Sequence, residues 1–224
     1  MFVTGDLKLI QVRRMRMTYQ NRVDPFGNLV ATHARGTMMG NRGCLHDATG
    51  KIRKSWARKA WVTCSLEWKG IQRSVFSDGL YSELFFLDEA TAFAAGHRPC
   101  NRCQSEAYSA FKTAWQSSQS DGQFVKADAM DNQIHSDRLN RSGEKQIFSE
   151  VVKHLPDGVM MTTLDAPLQP RLLWRGQLWA WSFAGYSAPI SAAPSSTVSV
   201  LTPRSYCAVL ENGYQLQVHS SLVV

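Results

Sequence analysis

The sequence lacks several features that would assign it to a common protein class. It contains no apolar run close to the roughly 18 residues that a membrane-spanning helix needs. Its first residues do not combine a basic start with an unbroken apolar stretch, so a signal peptide is not expected. A Walker loop, a dinucleotide-binding fingerprint and a Gly-x-Ser-x-Gly elbow are also missing. These absences favour a cytoplasmic protein without a membrane partner.

Acidic residues are scarce relative to basic ones. The chain has 18 Asp and Glu against 25 Lys and Arg, a formal net charge of +7, while 44% hydrophobic residues provide for a packed core. Between residues 35 and 73, nine basic residues face two acids. Because this stretch also contains Trp56 and Trp61, it is typical of phosphate neutralisation combined with base stacking. We therefore predict a nucleic-acid partner, with DNA favoured over RNA.

The five cysteines are an odd number, which argues against a disulfide framework in a reducing compartment. Cys100 and Cys103 are separated by two residues, a spacing that lets both sulfurs approach one Zn²⁺ ion. Redox pairs share this spacing, but they follow a strand, whereas a helix-like segment precedes Cys100. The pair therefore predicts a zinc site.

Further zinc ligands must come from upstream. Cys64 ends a short β-prone run, and Cys44 lies among glycines that permit a tight loop around an ion. His46 and His97 are nitrogen alternatives for the fourth position. The predicted ligand set is Cys44, Cys64, Cys100 and Cys103, although Cys64 and Cys44 are also compatible with structural roles. Cys207 is predicted to pack in the core on a strand.

Local patterns predict a mixed fold. Residues 61–68 and 71–76 are predicted to form a hairpin. A helix capped by Asp88 should end at Gly96, and another should follow Cys103 with an apolar face that includes Phe111 and Trp115.

In the C-terminal half, apolar residues at four-residue spacing predict a helix over 147–155. Short β-prone runs at 159–164, 171–174, 178–183, 197–201 and 206–210 predict a small sheet or barrel. Arg175 and Gly176, between two of these runs, predict a tight hairpin turn, although the pair is a weaker signal than Asn-Gly. The fold class is thus α+β, divided into a zinc-stabilised module with an N-terminal extension (1–120), a helical connector (121–155) and a small β domain (156–224).

Residues 84–104, LFFLDEATAFAAGHRPCNRCQ, resemble the second half of the Ada-type zinc-binding domain of bacterial DNA alkylation-repair proteins. In that family an aromatic pair leads into an alanine-rich helix and then Ala-Gly-x-Arg-Pro-Cys-x-Arg-Cys. The resemblance extends over about residues 64–112. It implies that Cys100 and Cys103 bind zinc before a helix and that Arg98 and Arg102 lie near the DNA backbone.

The first half of that family pattern departs from this sequence. The family has two cysteines four residues apart, one of which accepts a methyl group from DNA. Here Cys64 corresponds to the first, but Trp68 stands at the second position. The fourth ligand must then come from elsewhere, or a water completes a three-ligand site.

The leading hypothesis is a zinc-containing nucleic-acid-binding protein related to DNA repair or modification. Its predicted phosphate-contacting residues are Arg42, Arg53, Lys54, Arg58, Lys59, Arg98 and Arg102. The alternative is a zinc-dependent enzyme, hydrolase or deaminase-like, acting on nucleic acid or nucleotides, with His46 or Asp47 near the metal. A third hypothesis is a protein-interaction module centred on the C-terminal β domain, in which charges cancel.

Overall fold

Two six-stranded sheets and four helices make up the described part of the computed structural model, residues 18–70, 74–119 and 126–222. The strands are β1 (Gln20–Val23), β2 (Leu29–Ala31), β3 (Met38–Asn41), β4 (Val62–Cys64), β5 (Leu84–Phe86), β6 (Arg98–Pro99), β7 (Phe148–Val151), β8 (Met160–Thr163), β9 (Ala166–Trp174), β10 (Gln177–Ser182), β11 (Gly185–Ser191) and β12 (Thr197–Val200). The helices are α1 (Glu89–Ala94), α2 (Ser105–Ser118), α3 (Ala127–Arg138) and α4 (Arg204–Glu211).

The first sheet has the strand order β2-β1-β5-β3-β4-β6. Its β1/β5 and β4/β6 pairs are parallel, and the other neighbours are antiparallel. The parallel pairing of β4 with β6 matters most for function. It sets Val62 beside Arg98 and Thr63 beside Pro99, so the residues that follow the two strands emerge at the same edge.

The second sheet is antiparallel, with the order β11-β10-β9-β8-β12-β7. The turn between β9 and β10 consists of Arg175 and Gly176, with φ of 50° and 71°. Positive φ at both positions matches a two-residue hairpin whose twist fits the flanking strands. The turn predicted from the Arg-Gly pair is therefore present.

Helix α1 connects the two sheets through buried carboxylates. Asp88 caps the helix by accepting the backbone N–H of Thr91, and it also accepts the Tyr186 hydroxyl and the His219 N–H. The next residue, Glu89, accepts the Tyr214 hydroxyl at 2.6 Å. The capping expected from the sequence is thus confirmed, and its partners come from about 100 residues further along the chain.

The largest hydrophobic core crosses the boundaries predicted at residues 120 and 155. Phe93 of α1 and Phe111 of α2 share a cluster with Ile134 of α3, Val198 of β12 and Tyr206 of α4. A second cluster packs α1 against the C-terminal sheet. The three predicted segments are therefore held together by common apolar contacts.

The α+β class and the small C-terminal sheet are confirmed, but two elements were predicted wrongly. Residues 147–155 contain strand β7 and a 3₁₀ turn instead of a helix. Residues 206–210 lie in α4 instead of a strand, so Cys207 is buried as expected but on a helix. The predicted strand 61–68 is limited to Val62–Cys64, and its proposed partner lies in part outside the described residues.

None of the helices in the described part of the chain is both long and apolar enough to cross a membrane.

Candidate metal centre and cationic cluster

Three cysteines converge where β4 and β6 end. Cys64 is the last residue of β4, Cys100 follows β6, and Cys103 lies in the turn before α2. The backbone N–H of Cys100 donates to the carbonyl of Thr63 at 3.0 Å, which continues the β4/β6 pairing and holds the two cysteine strands side by side. Two distant stretches of sequence thereby supply three thiols to one site.

The sulfur atoms of Cys64, Cys100 and Cys103 all lie within 4.8 Å of one another. Tetrahedral Zn²⁺ with Zn–S bonds of about 2.3 Å would separate its sulfurs by about 3.8 Å, so a small adjustment is enough to hold a metal ion. The Arg102 N–H donates to Cys100 Sγ at 3.4 Å, and Ser65 Oγ donates to the carbonyl of Cys103 at 3.2 Å. This geometry supports a metal site with three sulfur ligands.

The thiols influence one another's ionisation. A hydrogen bond from the Cys64 thiol, with help from backbone N–H groups, lowers the pKa of Cys100 to about 5. The same hydrogen bond raises the pKa of Cys64, and burial raises that of Cys103. One thiolate is therefore favoured in the metal-free cluster, and a bound cation would favour ionisation of the other two.

The structure does not bring the expected fourth ligands to this cluster. Cys44 is directed at its own loop, with Sγ 3.6 Å from the carbonyl oxygen of His46. The His46 ring stacks on Phe76 and its Nδ1 lies 2.6 Å from Ser82 Oγ. Among the described residues, only the three cysteines form a group with metal-binding geometry.

His97, the third candidate for the fourth position, is buried in a different cluster. Its Nε2 accepts the Nε–H of Arg42 at 3.2 Å, and its ring contacts Trp61 and Phe86. Burial and the nearby Arg42 and Arg138 lower its pKa well below the usual value, so the imidazole is neutral. His97 therefore acts as the acceptor that orients Arg42.

Arg98 and Arg42, both predicted to contact phosphates, are buried. Arg98 forms a bidentate pair with Asp131 of α3, with both N–O distances 2.7 Å. Arg42 is 1% exposed and its Cζ lies 4.1 Å from the centre of the Trp61 ring. Arg98 therefore joins α3 to the first sheet, whereas Arg42 lines a cavity together with Trp56, Trp61 and Arg138.

The other five predicted phosphate contacts are exposed. They are Arg53, Lys54, Arg58, Lys59 and Arg102. Arg53 pairs with Asp47, and Lys59 donates to the side chain of Asn132. The first four lie in the loop between β3 and β4.

Sequence reasoning missed Arg138 and Lys145 as partners of Arg42. The guanidinium of Arg138 also lies over the ring of Trp61, with Cζ 3.8 Å from its centre. The sequence around Arg138 is polar and gives no indication that the side chain is buried. Residues 42 and 138 are too far apart in sequence for any spacing rule to associate them.

Comparisons with protein-family models, with curated proteins and with solved structures gave no match to this chain. The resemblance to the Ada-type zinc domain therefore depends on the residues of its motif, and the fold and the three-cysteine cluster stand on their own geometry.

Proposed function

We propose that this protein binds nucleic acid, with DNA preferred, and that a zinc ion held by Cys64, Cys100 and Cys103 stabilises it. The observation that carries the metal proposal is the convergence of three sulfur atoms within 4.8 Å. Sulfur donors select zinc over magnesium or calcium, which prefer oxygen. The zinc would fix the turn that leads into α2.

The nucleic-acid proposal is supported by the exposed cations that precede β4. Lys54, Arg58 and Lys59 have no carboxylate partner among the described residues, and Trp56 lies between them in sequence. Unpaired surface cations release counterions from a phosphate backbone, whereas paired ones contribute less. Arg102, which lies between the two cysteines of the Ada-type motif, adds a further cation near the metal site. We do not propose methyl transfer, because Trp68 replaces the second cysteine of the family's reactive pair.

The decisive experiment measures binding to duplex DNA as a function of salt concentration. The double variant Lys54→Ala/Arg58→Ala should lower the slope of log K against log salt by up to about 1.8, since each lost phosphate contact removes about 0.9. The matched control is Lys126→Ala/Lys153→Ala, which removes two exposed lysines elsewhere. Equal slopes for both variants and the wild type would remove this surface from the proposal.

A zinc-dependent enzyme acting on nucleic acid or nucleotides is the second candidate, because the described residues supply three ligands and leave a fourth position for water. The residues predicted to assist catalysis near the metal do not favour an enzyme. Asp47 accepts hydrogen bonds from Thr49 and Arg53, and His46 stacks on Phe76. Metal-dependent turnover of a DNA or nucleotide substrate would favour the enzyme. Metal that affects only folding would favour the structural role.

A further inference from the structure

A cavity of about 320 Å³ lies at the opposite end of β4 from the cysteines. Three cationic side chains line it, Arg42, Arg138 and Lys145, together with the indoles of Trp56 and Trp61. The residues come from the loop between β3 and β4, the start of β4, and the end of α3 with the turn that follows. The volume is near the lower end of the range for small-molecule sites, about 300–1,000 Å³.

Arg42 is buried and incompletely bonded. Its Nε donates to His97, and its Nη1 donates to the carbonyl of Gly27 at 3.0 Å. Its Nη2 is buried and has no hydrogen-bond partner. A buried donor without a partner is costly unless something accepts from it. Burial, followed by the charge of Arg138, lowers the Arg42 pKa to about 9.

Arg138 repeats this arrangement. Its Nη1 donates to the carbonyl of Gly96 at 2.9 Å, and its Nη2 donates to the carbonyl of Lys59. Its Nε is buried and has no partner. Backbone carbonyls and the face of Trp61 thus position two guanidinium groups beside one cavity without neutralising either charge.

Lys145 adds the third charge. Its ammonium donates to the carbonyl of Ala94, and its side chain is partly buried. Burial and the neighbouring Arg42 lower its pKa to about 7, with a smaller opposing effect of Asp24. The lowered pKa thus reflects burial first and repulsion by Arg42 second, and the charge of Asp24 offsets it only in part.

The carboxylates near these cations are engaged elsewhere, and Asp131, whose charge acts on Arg138, is paired with Arg98. Asp24 accepts the backbone N–H and the side-chain amide of Asn28. Glu144, at the rim of the cavity, accepts from Asn140 and Ser142. Among the described residues, none of the three cavity cations forms an ion pair. Buried charges are normally paired, so this arrangement points to a missing anion.

We propose that this cavity binds the phosphate group of a nucleotide, with Arg42, Arg138 and Lys145 around the phosphate and Trp56 beside the base. The unpartnered Nη2 of Arg42 and Nε of Arg138 each offer a charged donor to a phosphate oxygen, and the lysine adds a point charge. An indole gives a planar base a stacking surface at the same mouth. The phosphate belongs either to a free mononucleotide or to the end of a nucleic-acid strand, and the second source rests on the proposed function.

The test is calorimetric titration of the full-length protein with inorganic phosphate, a nucleoside 5′-monophosphate and the corresponding nucleoside. Phosphate and the monophosphate should bind, and the nucleoside should bind at least tenfold more weakly than the monophosphate. Lys145→Met should lower the affinity for inorganic phosphate and for the monophosphate about tenfold or more. The matched control Lys153→Met removes an exposed lysine outside the cavity and should change neither.

Trp56→Ala separates stacking from anion binding. It should lower the affinity for the monophosphate and leave the affinity for inorganic phosphate unchanged. Arg42→Gln should abolish the binding of inorganic phosphate and of the monophosphate. If this variant does not fold, Lys145→Met and Trp56→Ala still test whether the cavity binds a nucleotide phosphate. Absence of phosphate and monophosphate binding, or equal binding by wild type and Lys145→Met, would overturn the proposal.

Oligonucleotides with a 5′-phosphate, a 3′-phosphate or neither distinguish the two sources. A preference for one phosphorylated end that Lys145→Met removes would assign the cavity to a strand terminus. Monophosphate binding without such a preference would assign it to a free nucleotide. If Lys54→Ala/Arg58→Ala leaves the salt dependence of DNA binding unchanged while the monophosphate still binds, the cavity proposal stands and the surface proposal fails.

Discussion

At the scale of single residues, the cysteines occupy three environments. Cys64, Cys100 and Cys103 face one another, Cys44 contacts the carbonyl of its own loop, and Cys207 packs in the core. Sequence spacing identified Cys100 and Cys103, whereas Cys64 was proposed because it ends a β-prone run and Cys44 because its glycine neighbours permit a tight loop. The fold places Cys44 outside the group that has metal-binding geometry.

This placement predicts different outcomes for individual cysteine variants. Serine at position 64, 100 or 103 should remove most of the bound metal and lower the Tm, since thiolate zinc sites contribute about 10–16 kcal/mol of binding free energy in zinc-finger peptides. Cys44→Ser should retain nearly the wild-type metal content. Elemental analysis of each purified variant measures this directly, and loss of metal in Cys44→Ser would restore Cys44 as the fourth ligand.

The Arg98–Asp131 pair gives a second residue-scale prediction. Asp131→Ala leaves a buried guanidinium without its partner and should lower the free energy of unfolding by about 3–5 kcal/mol. The control Asp128→Ala removes an exposed carboxylate from the first turn of the same helix and should cost at most about 1 kcal/mol. Urea denaturation measures both, and similar losses would contradict the structural role of the pair.

At the scale of elements, α1 is a six-residue helix whose stability depends on its surroundings. All six residues are buried, and the N-cap Asp88 and the first helical residue Glu89 accept hydrogen bonds from the C-terminal half. Burial raises the pKa of Glu89 to about 7 and also raises the pKa of Asp88. The helix therefore carries a pH dependence that its sequence does not indicate.

The sign of that dependence follows from proton binding. Between the usual glutamate pKa of 4.5 and the raised value of about 7, folded Glu89 binds more protons than unfolded Glu89, so its contribution to stability falls as pH rises. In the wild type this effect lowers the free energy of unfolding by about 3 kcal/mol between pH 4.5 and 7, and Glu89→Gln should remove that decline. The measurement is the difference in unfolding free energy between variant and wild type from pH 4.5 to 8. Parallel curves would show that Glu89 is not responsible.

The glycines that end α1 and α4 form a matched pair. Gly96 and Gly213 have φ of +81° and +89°, but a Cβ at Gly96 would lie 2.5 Å from Arg138 Cδ, whereas a Cβ at Gly213 would meet nothing within 4 Å. Gly213→Ala should cost about 1 kcal/mol of backbone strain. Gly96→Ala should cost about 1–3 kcal/mol more, because Arg138 must move. Thermal denaturation compares the two, and equal losses would argue against close packing of Arg138.

At the scale of the whole molecule, the common core links residues that the sequence assigns to three segments. Phe93, Phe111, Met130 and Tyr206 belong to one cluster, although 113 positions separate the first from the last. Apolar contacts shared across segments make their unfolding interdependent.

We therefore expect one cooperative unfolding transition. Hydrogen exchange in increasing denaturant should show residues 84–99 and 159–201 losing protection at the same concentration, with a metal chelator shifting both together. Loss of protection in one region well before the other would support independent segments with boundaries near residues 120 and 155.

Local patterns predicted the elements whose stability depends on short-range effects. The Asp88 cap, the turn at Arg175 and Gly176, and the helix after Cys103 all follow from side chains within a few residues of one another. The two wrong elements, at 147–155 and 206–210, show where this fails. Their apolar spacing suits either a helix or a strand, and packing against the second sheet decided between them.

The sequence by itself determined that the chain is mixed α+β, that Cys100 and Cys103 lie together, and that positive charge collects before β4. Only the tertiary structure decided which distant cysteine joins that pair and which basic residues face solvent. The physical reason is that the parallel pairing of β4 with β6 and the packing of α3 into the shared hydrophobic core are long-range events. They bring Cys64 to Cys100 and Arg42 near Arg138, and no local sequence pattern predicts either contact.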